Sequence, residues 1–241
     1  MRDVINHIVF GWYPYLALTV FLLGSLIRFD REQYTWKTGS SQLLRRRQLM
    51  IGSNLFHVGI LIIFFGHLVG LLTPIAFFDA FGISHGFKQV LAIVVGGIAG
   101  IACLIGIAML THRRLYDPRV RATSSTGDIF ILLLLFAQLL LGLATIPISM
   151  GHLDGHEMVK FMNWAQGILI LQSDAWRLVA DVHPIFKAHL FLGMTIFLVF
   201  PFTRLVHVWS APIWYLGRRG YQVVRSRNGN ARNASVRGVG R

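Results

Sequence analysis

Apolar residues gather in long runs that are separated by shorter polar stretches. The runs lie at about 8–27, 52–73, 89–110, 128–148 and 183–209. Each run reaches or exceeds the ~20 residues that an α-helix needs to cross the ~30 Å hydrocarbon core of a membrane. The pattern therefore predicts an all-α membrane protein with five transmembrane helices. The first run is too long for a signal peptide and ends in charged residues, so we expect it to stay on the mature protein.

The composition agrees with a membrane protein. Of the 241 residues, 54% are hydrophobic and 14% are charged, whereas about 25% of the residues of a soluble domain are charged. The single cysteine, Cys103, excludes intrachain disulfides, iron–sulfur clusters ligated by cysteine and covalent haem attachment through a CxxCH motif. Any cofactor must therefore be held by other ligands.

Basic residues gather in alternate loops. Following the positive-inside rule, we expect the N-terminus outside and the C-terminus in the cytoplasm. The net charge of +13 then lies on the cytoplasmic face, where membrane lipid headgroups or an acidic protein, and no nucleic acid, are the expected partners. The basic residues concerned are Arg28, Arg31, Lys37, Arg45, Arg46 and Arg47, then Arg113, Arg114, Arg119 and Arg121, and seven arginines from Arg218 onward.

Two regions lie outside the membrane-spanning runs. We expect residues 1–217 to form the five-helix membrane domain and residues 218–241 to form a basic cytoplasmic tail that is partly disordered, because its apolar content is low. Between the fourth and fifth runs, segment 149–182 is too long for a simple turn. Within it, residues 157–171 show the spacing of an amphipathic helix that lies along the membrane surface.

Four of the ten histidines fall inside apolar runs. His57 and His67 lie in the second run, and His189 and His207 lie in the fifth. Ionisable groups inside a membrane are costly to bury and usually serve a function. The two runs cross in opposite directions, so His57 lies level with His207 (the inner pair) and His67 with His189 (the outer pair). His183, directly before a proline, is expected to begin a helix.

Two pairs of imidazoles are typical of haem binding. An iron porphyrin with a histidine on each face has no open position, which suits electron transfer. Zinc fits poorly, because two histidines leave a tetrahedral site half filled. A proton relay in a haem-free transporter would use the same histidines and stays an alternative. Nearby glycines would let a flat ring approach the backbone, or would serve helix packing; they are Gly59, Gly66, Gly70 and Gly193.

The two runs space their histidines differently. Ten residues cover ~15 Å of helix in the second run, whereas eighteen cover ~27 Å in the fifth. We expect helix tilt, the width of the haems and a bend at Pro201 to absorb the difference.

Several stretches of the chain, up to about residue 225, resemble the γ (cytochrome b) subunit of bacterial membrane-bound respiratory nitrate reductase. The stretches are "YPYLALTVFLLGSLIRFDREQYTW", "SSQLLRRR", "SNLFHVGILIIFFGHLVGLLTP", "RRLYDPRVRATSSTGDI", "TIPISMGHLDG" with "WAQ", and "HLFLGMTIFLVFPFTRLVHVWSAPIWYL". The resemblance implies a diheme helix bundle in the bacterial inner membrane with two non-covalent haem b groups. It also implies that His57, His67, His189 and His207 are the ligands, paired as above.

The resemblance further implies that quinol is oxidised near the outer face. The quinol-site lysine of the family matches Lys88, which is expected beside Gly66 and His67; a lysine that merely reaches to the interface is the alternative. Electrons would pass inward to an iron–sulfur β subunit and a molybdenum-containing α subunit that reduces nitrate. A diheme anchor of a formate dehydrogenase, hydrogenase or heterodisulfide reductase type would share these helices and ligands.

Overall fold

The structure, a computed structural model, describes residues 1–36 and 44–210, and this part of the chain is helical without strands. The α-helices are α1 (Arg2–His7), α2 (Tyr13–Arg31), α3 (Arg46–Leu72), α4 (Ile75–Ala80), α5 (His85–Tyr116), α6 (Pro118–Ala122), α7 (Thr126–Met150), α8 (His156–Leu169) and α9 (Pro184–Val199). A π-helical turn, Ile8–Trp12, joins α1 to α2.

Five helices are long and apolar enough to cross a membrane, which confirms the predicted number of spans and the all-α class. They cover Arg2–Arg31, Arg46–Leu72, His85–Tyr116, Thr126–Met150 and Pro184–Phe202. The first four are longer than the apolar runs that predicted them. A helix continues past the last apolar residue as long as its backbone hydrogen bonds are made, and its ends are fixed by capping side chains.

Serine side chains cap the N-termini of two of the spanning helices. The Ser84 hydroxyl accepts a hydrogen bond from the Phe87 amide at the start of α5, at 3.2 Å. At the start of α7, the Ser125 hydroxyl accepts from the Asp128 amide at 3.1 Å, and the Asp128 carboxylate accepts from the Ser125 amide at 3.3 Å. These caps satisfy amides that have no partner inside the helix.

The spanning helices pack in a series. Helix α5 packs against α3 on one side and α7 on the other, α7 packs against α9, and α9 packs against α2. Gly59 lets α3 and α5 meet, because a Cβ there would lie 2.7 Å from the Ala99 carbonyl oxygen and 2.7 Å from the Cys103 Cβ. Gly59 therefore serves helix packing, which is one of the two roles that the sequence left open for it.

Helix α8 confirms the amphipathic helix expected between the fourth and fifth spans. It buries Met162, Trp164 and Ile168. Its Trp164 indole donates a hydrogen bond at 2.9 Å to the carbonyl of Phe10, which lies within the π-helical turn. Gln166 donates to the carbonyls of the last turn of α3, which links α8 to the end of that span.

The fifth apolar run does not form one continuous helix. The His183 ring accepts a hydrogen bond from the Ile185 amide at 3.3 Å and caps α9, as expected for a helix-start residue. Helix α9 ends at Val199, and 3₁₀ turns at Phe200–Phe202 and Arg204–Ser210 follow. Proline has no amide hydrogen and its ring clashes with the preceding turn, so Pro201 favours the end of the α-helix at this point.

The described α-helices all belong to one compact unit, Met1–His207. The predicted boundary between residues 217 and 218 and the predicted tail lie outside the described residues, and so does Lys37.

Candidate functional site

The outer pair of histidines is formed by α3 and α9. The ring centroids of His67 and His189 lie 6.1 Å apart, with the ring planes inclined by 48°. A metal between two imidazoles needs ring centroids roughly 6.3 Å apart, because each bond from metal to nitrogen is ~2.0–2.1 Å long and each nitrogen lies ~1.1 Å from its ring centre. The observed separation matches a metal held between the two rings.

The His189 ring is enclosed by α7. A Cβ placed on Gly142 would lie 3.0 Å from the His189 Cε1 atom, so only a glycine leaves full room for the ring. Gln138 donates a hydrogen bond to the His189 carbonyl at 3.1 Å. The His189 Nδ1 atom is buried without a hydrogen-bond partner, and a buried polar atom of this kind is uncommon in proteins. The His189 ring is thus held in place, and one of its nitrogen atoms has no partner within the described part of the protein.

The inner pair is formed by α3 and the segment beyond α9. His57 lies in the first half of α3, and His207 lies in the 3₁₀ turn Arg204–Ser210 rather than in the spanning helix. The expected placement of His207 within the fifth span is therefore wrong, since the break at Pro201 puts it on a separate turn.

Three of the four rings are oriented by a backbone carbonyl. A carbonyl oxygen only accepts hydrogen bonds, so in a neutral ring the Nδ1 atom carries the proton and the Nε2 lone pair is left for a metal. The carbonyls belong to Ser53 for His57 at 2.7 Å, Ile63 for His67 at 2.8 Å and Arg204 for His207 at 2.6 Å. His152 makes the same bond at 3.1 Å outside the spans, so the bond identifies a ligand only together with the pairing.

The space between α3 and α9 suits a flat cofactor. The two helices do not pack extensively within the described residues, although they carry the outer pair. A Cβ on Gly66 or on Gly70 would meet nothing within 4 Å. No group of three or more His, Cys, Asp or Glu side chains in the described ranges converges to hold a metal ion by protein ligands alone. The residues therefore fit a haem, which supplies its own four nitrogen ligands.

Lys88 lies near the start of α5 and is buried. Its ammonium group lies 4.2 Å from the centre of the Phe78 ring and 4.0 Å from the Met162 sulfur. These partners come from α4 and α8, elements that sequence reasoning did not connect to this lysine. The side chain is thus enclosed by protein, while its expected position beside Gly66 and His67 stays a prediction.

Arginines at the end of α5 have protein partners. Arg113 donates to the Leu44 carbonyl at 2.8 Å, and Arg114 pairs with Asp128 at 3.4 Å. Asp117 follows α5 and pairs with Arg45 at 2.5 Å. Hydrogen bonds from the backbone amides of Val120 and Arg119, with the charges of Arg45 and Arg113, hold the pKa of Asp117 below its usual range.

Sequence reasoning missed the residues that hold the histidines in place. Gln138 and Gly142 on α7 contact His189. Asp128 and Arg28 contact the segment that carries His207. A lone polar residue in an apolar run is the only signal that could have pointed to Gln138, and the others look like ordinary helix-end or packing residues.

Comparisons with known proteins agree with these features. The chain matches the family model described as nitrate reductase gamma subunit over residues 6–227. It is 53% identical to the respiratory nitrate reductase 2 gamma chain of Escherichia coli (strain K12), with 94% of this chain and 100% of the relative covered. It is 39% identical to the nitrate reductase gamma chain of Bacillus subtilis (strain 168), with 92% and 99% covered.

A more distant relative belongs to another complex. The chain is 23% identical to the Hdr-like menaquinol oxidoreductase cytochrome b-like subunit of Archaeoglobus fulgidus, with 81% of this chain and 63% of the relative covered.

Proposed function

The chain belongs to the nitrate reductase gamma subunit family, and from this premise we propose that it oxidises quinol near the outer face of the membrane and passes the electrons inward through two haem b groups. Membership of the family makes it the multi-pass, inner-membrane cytochrome b anchor of a quinol:nitrate oxidoreductase. The two haems, their ligands and the quinol site are the proposed part.

The observation that carries the proposal is the outer pair. His67 and His189 lie 6.1 Å apart on two helices that do not pack extensively within the described residues. Two helices that pack directly usually bring many apolar side chains together. Between α3 and α9, in contrast, two imidazole rings face each other without extensive packing of the helices. We assign one haem to His67 and His189, and the other to His57 and His207.

Bound haem supplies one-electron carriers in the apolar core of the membrane. His67 and His189 would hold one such group, and His57 and His207 would hold the other. The apolar side chains of α3 and α9 exclude water around them. We assign the reduction of nitrate to another subunit of the complex.

We assign Lys88 to the quinol site. Its ammonium group lies against Phe78 and Met162, and in this assignment it donates a hydrogen bond to one oxygen of a quinol ring. The outward placement of this site rests on the expected orientation, with the N-terminus outside and the C-terminus in the cytoplasm. Protons from quinol would then leave to the outside, while nitrate reduction takes up protons in the cytoplasm.

The proposed partners are an iron–sulfur β subunit and a molybdenum-containing α subunit, which would bind at the basic cytoplasmic face. Two relatives that this chain covers almost completely are named nitrate reductase gamma chains, whereas the relative from the other complex shares only 23% identity. This difference favours nitrate reductase over another quinone-linked complex.

The haem content of the purified full-length chain tests the proposal. We expect a reduced b-type absorption band and two haems per chain in a pyridine haemochrome assay. Absence of haem would favour a proton-relay transporter. Copurification with a molybdenum and iron–sulfur pair that reduces nitrate with quinol as donor would support the assigned partners, and copurification with a formate dehydrogenase or hydrogenase would contradict them.

A further inference from the structure

The segment that carries His207 is separated from α9 by a break in the helix. Helix α9 ends at Val199, and Thr203 has an extended backbone with φ −118° and ψ 178°. A broken helix leaves carbonyl oxygens without their usual amide partners. In an apolar environment each such oxygen is costly unless another group donates to it.

Arg28, at the end of α2, donates to these carbonyls. One terminal nitrogen of its guanidinium donates to the Pro201 carbonyl at 2.5 Å and to the Thr203 carbonyl at 2.9 Å. The other terminal nitrogen donates to the Thr35 carbonyl at 3.1 Å, and Nε donates to the Thr35 hydroxyl at 3.4 Å. One side chain therefore joins α2, the turn beyond it and the break in the fifth span.

The backbone of α2 lies close to the same break. A Cβ on Gly24, one helical turn before Arg28, would lie 2.8 Å from the Pro201 Cγ atom. The absence of a side chain at this position brings Pro201 against α2, and Arg28 then reaches the carbonyls beyond it. The break and the end of α2 are thus fitted to each other by contact and by hydrogen bonds.

Asp128, on α7, pairs with Arg204, the residue that follows Thr203. Its carboxylate lies 3.5 Å from the Arg204 guanidinium and 3.4 Å from that of Arg114. The Arg204 carbonyl accepts the hydrogen bond from the His207 Nδ1 atom at 2.6 Å. The residue that orients the His207 ring is therefore itself fixed to α7.

We propose that Arg28 and Asp128 are positioning residues for the inner haem, because they fix the segment from Pro201 to Arg204 and, through it, the orientation of His207. This inference rests on the proposed function, since His207 must be a haem ligand for its orientation to matter. The orientation of an axial imidazole and the hydrogen bond to it both influence the reduction potential of a haem.

The test is Arg28→Lys in the full-length chain, with both haems followed by redox titration and by electron paramagnetic resonance. Lysine keeps the positive charge but lacks the planar fork that reaches two segments at once. We expect the low-spin signal and the midpoint potential of the inner haem to shift, while those of the outer haem stay unchanged. Arg28→Ala should lose up to half of the total haem, all of it from the inner site.

Two further variants separate the interpretations. Arg31→Lys makes the same exchange three residues later on the exposed side of α2 and should change neither haem. Asp128→Asn should shift the inner haem alone, which would support the proposal even if Arg28→Ala does not accumulate.

Two results would overturn the inference while leaving the proposed function in place. One is an unchanged inner haem in both Arg28→Lys and Asp128→Asn, and the other is an equal change of both haems. Retention of both haems in His207→Ala would instead overturn the assignment of the ligand, and the inference with it.

Discussion

The two pairs of histidines are held by different means. In the outer pair, both rings belong to regular spanning helices, and His189 is fixed by its contact with Gly142. In the inner pair, His207 follows a break in the chain and is oriented by the Arg204 carbonyl. Close packing against α7 positions the His189 ring, whereas polar contacts between three elements position the segment that carries His207.

This difference has a physical reason in the spacing of the ligands. Ten residues separate the histidines of α3, but eighteen separate those of the fifth run, and ideal helices would place them at unequal depths. Because α9 ends at Val199, the position of His207 is not fixed by the geometry of that helix. The freed carbonyls then require donors, and charged side chains supply them. We therefore expect the inner site to be altered by substitutions of polar side chains, and the outer site to be altered by substitutions that change the volume of a side chain.

The largest expected effect comes from removing a ligand. A haem with two axial histidines loses half of its axial ligation when one ring is removed. His57→Ala or His207→Ala should therefore abolish or convert the inner haem only, and His67→Ala or His189→Ala the outer haem only. Optical spectra and haem content measure this.

The capping histidine provides the control for these variants. His183→Ala should keep both haems, because its ring caps α9. If His57→Ala and His67→Ala removed the same haem, the assignment of the two pairs would be wrong.

A second comparison concerns quinol. Lys88→Ala should weaken binding of a quinol-analogue inhibitor by about 10- to 100-fold, because a hydrogen bond to a charged donor contributes ~1.5–3 kcal/mol. Quinol-driven reduction of both haems should slow, while nitrate reduction with an artificial donor to the partner subunits should not change.

Lys160→Ala is the matched control for Lys88. Lys160 is a lysine of α8 that pairs with Glu157 at 2.6 Å, and its removal should leave inhibitor binding unchanged. Normal quinol oxidation in Lys88→Ala with both haems intact would contradict the assignment of Lys88 to the quinol site.

A third prediction tests whether packing positions the outer pair. Gly142→Ala places a Cβ 3.0 Å from the His189 ring, so the ring must move or the helices must separate. Overpacking of this kind costs about 1–3 kcal/mol. We expect the outer haem to be lost at a lower temperature than in the wild type, with the inner haem unchanged.

Gly97→Ala is the control for this variant. Its Cβ would meet the Ile146 side chain at 3.6 Å, an ordinary contact. Equal thermal release of the outer haem from Gly142→Ala and Gly97→Ala would show that the fit around His189 is looser than the structure indicates.

The smallest expected effect is a dependence on pH that arises from the carboxylate of Asp117, between α5 and α6. Asp117 pairs with Arg45, directly before α3, and its pKa is lowered from 3.8. A lowered pKa in the folded state means that this stabilisation is complete above the pKa of the unfolded chain and is lost as the pH falls through the folded value. Thermal release of the inner haem should therefore become easier below about pH 4, from the usual carboxyl pKa.

Asp117→Asn removes the charge at every pH. We expect this variant to release its inner haem more easily at pH 7 and to lose part of the further decrease in acid. A wild-type acid response in Asp117→Asn would assign that response to other carboxylates.

The sequence alone determined the class of protein, the number of spans and the residues with ligand chemistry. Hydrophobic runs of sufficient length have one stable form in a bilayer, because every backbone group inside it must be hydrogen-bonded within its own helix. The antiparallel order of the second and fifth runs then limits which of His57, His67, His189 and His207 can lie level with each other. The amphipathic helix α8 was also predicted from the sequence, because the spacing of its apolar residues is a local property of the chain.

Only the tertiary structure decided how these ligands are held. The sequence placed His207 in a spanning helix, and the structure places it on a turn braced by Arg28 and through Arg204 by Asp128. The structure also places Gly59 at the contact between α3 and α5, and it encloses Lys88 with residues of α4 and α8. Hydropathy and spacing are local properties that each residue carries into any fold. Contacts between residues of different helices exist only once the helices have packed, so no local pattern in the chain specifies them.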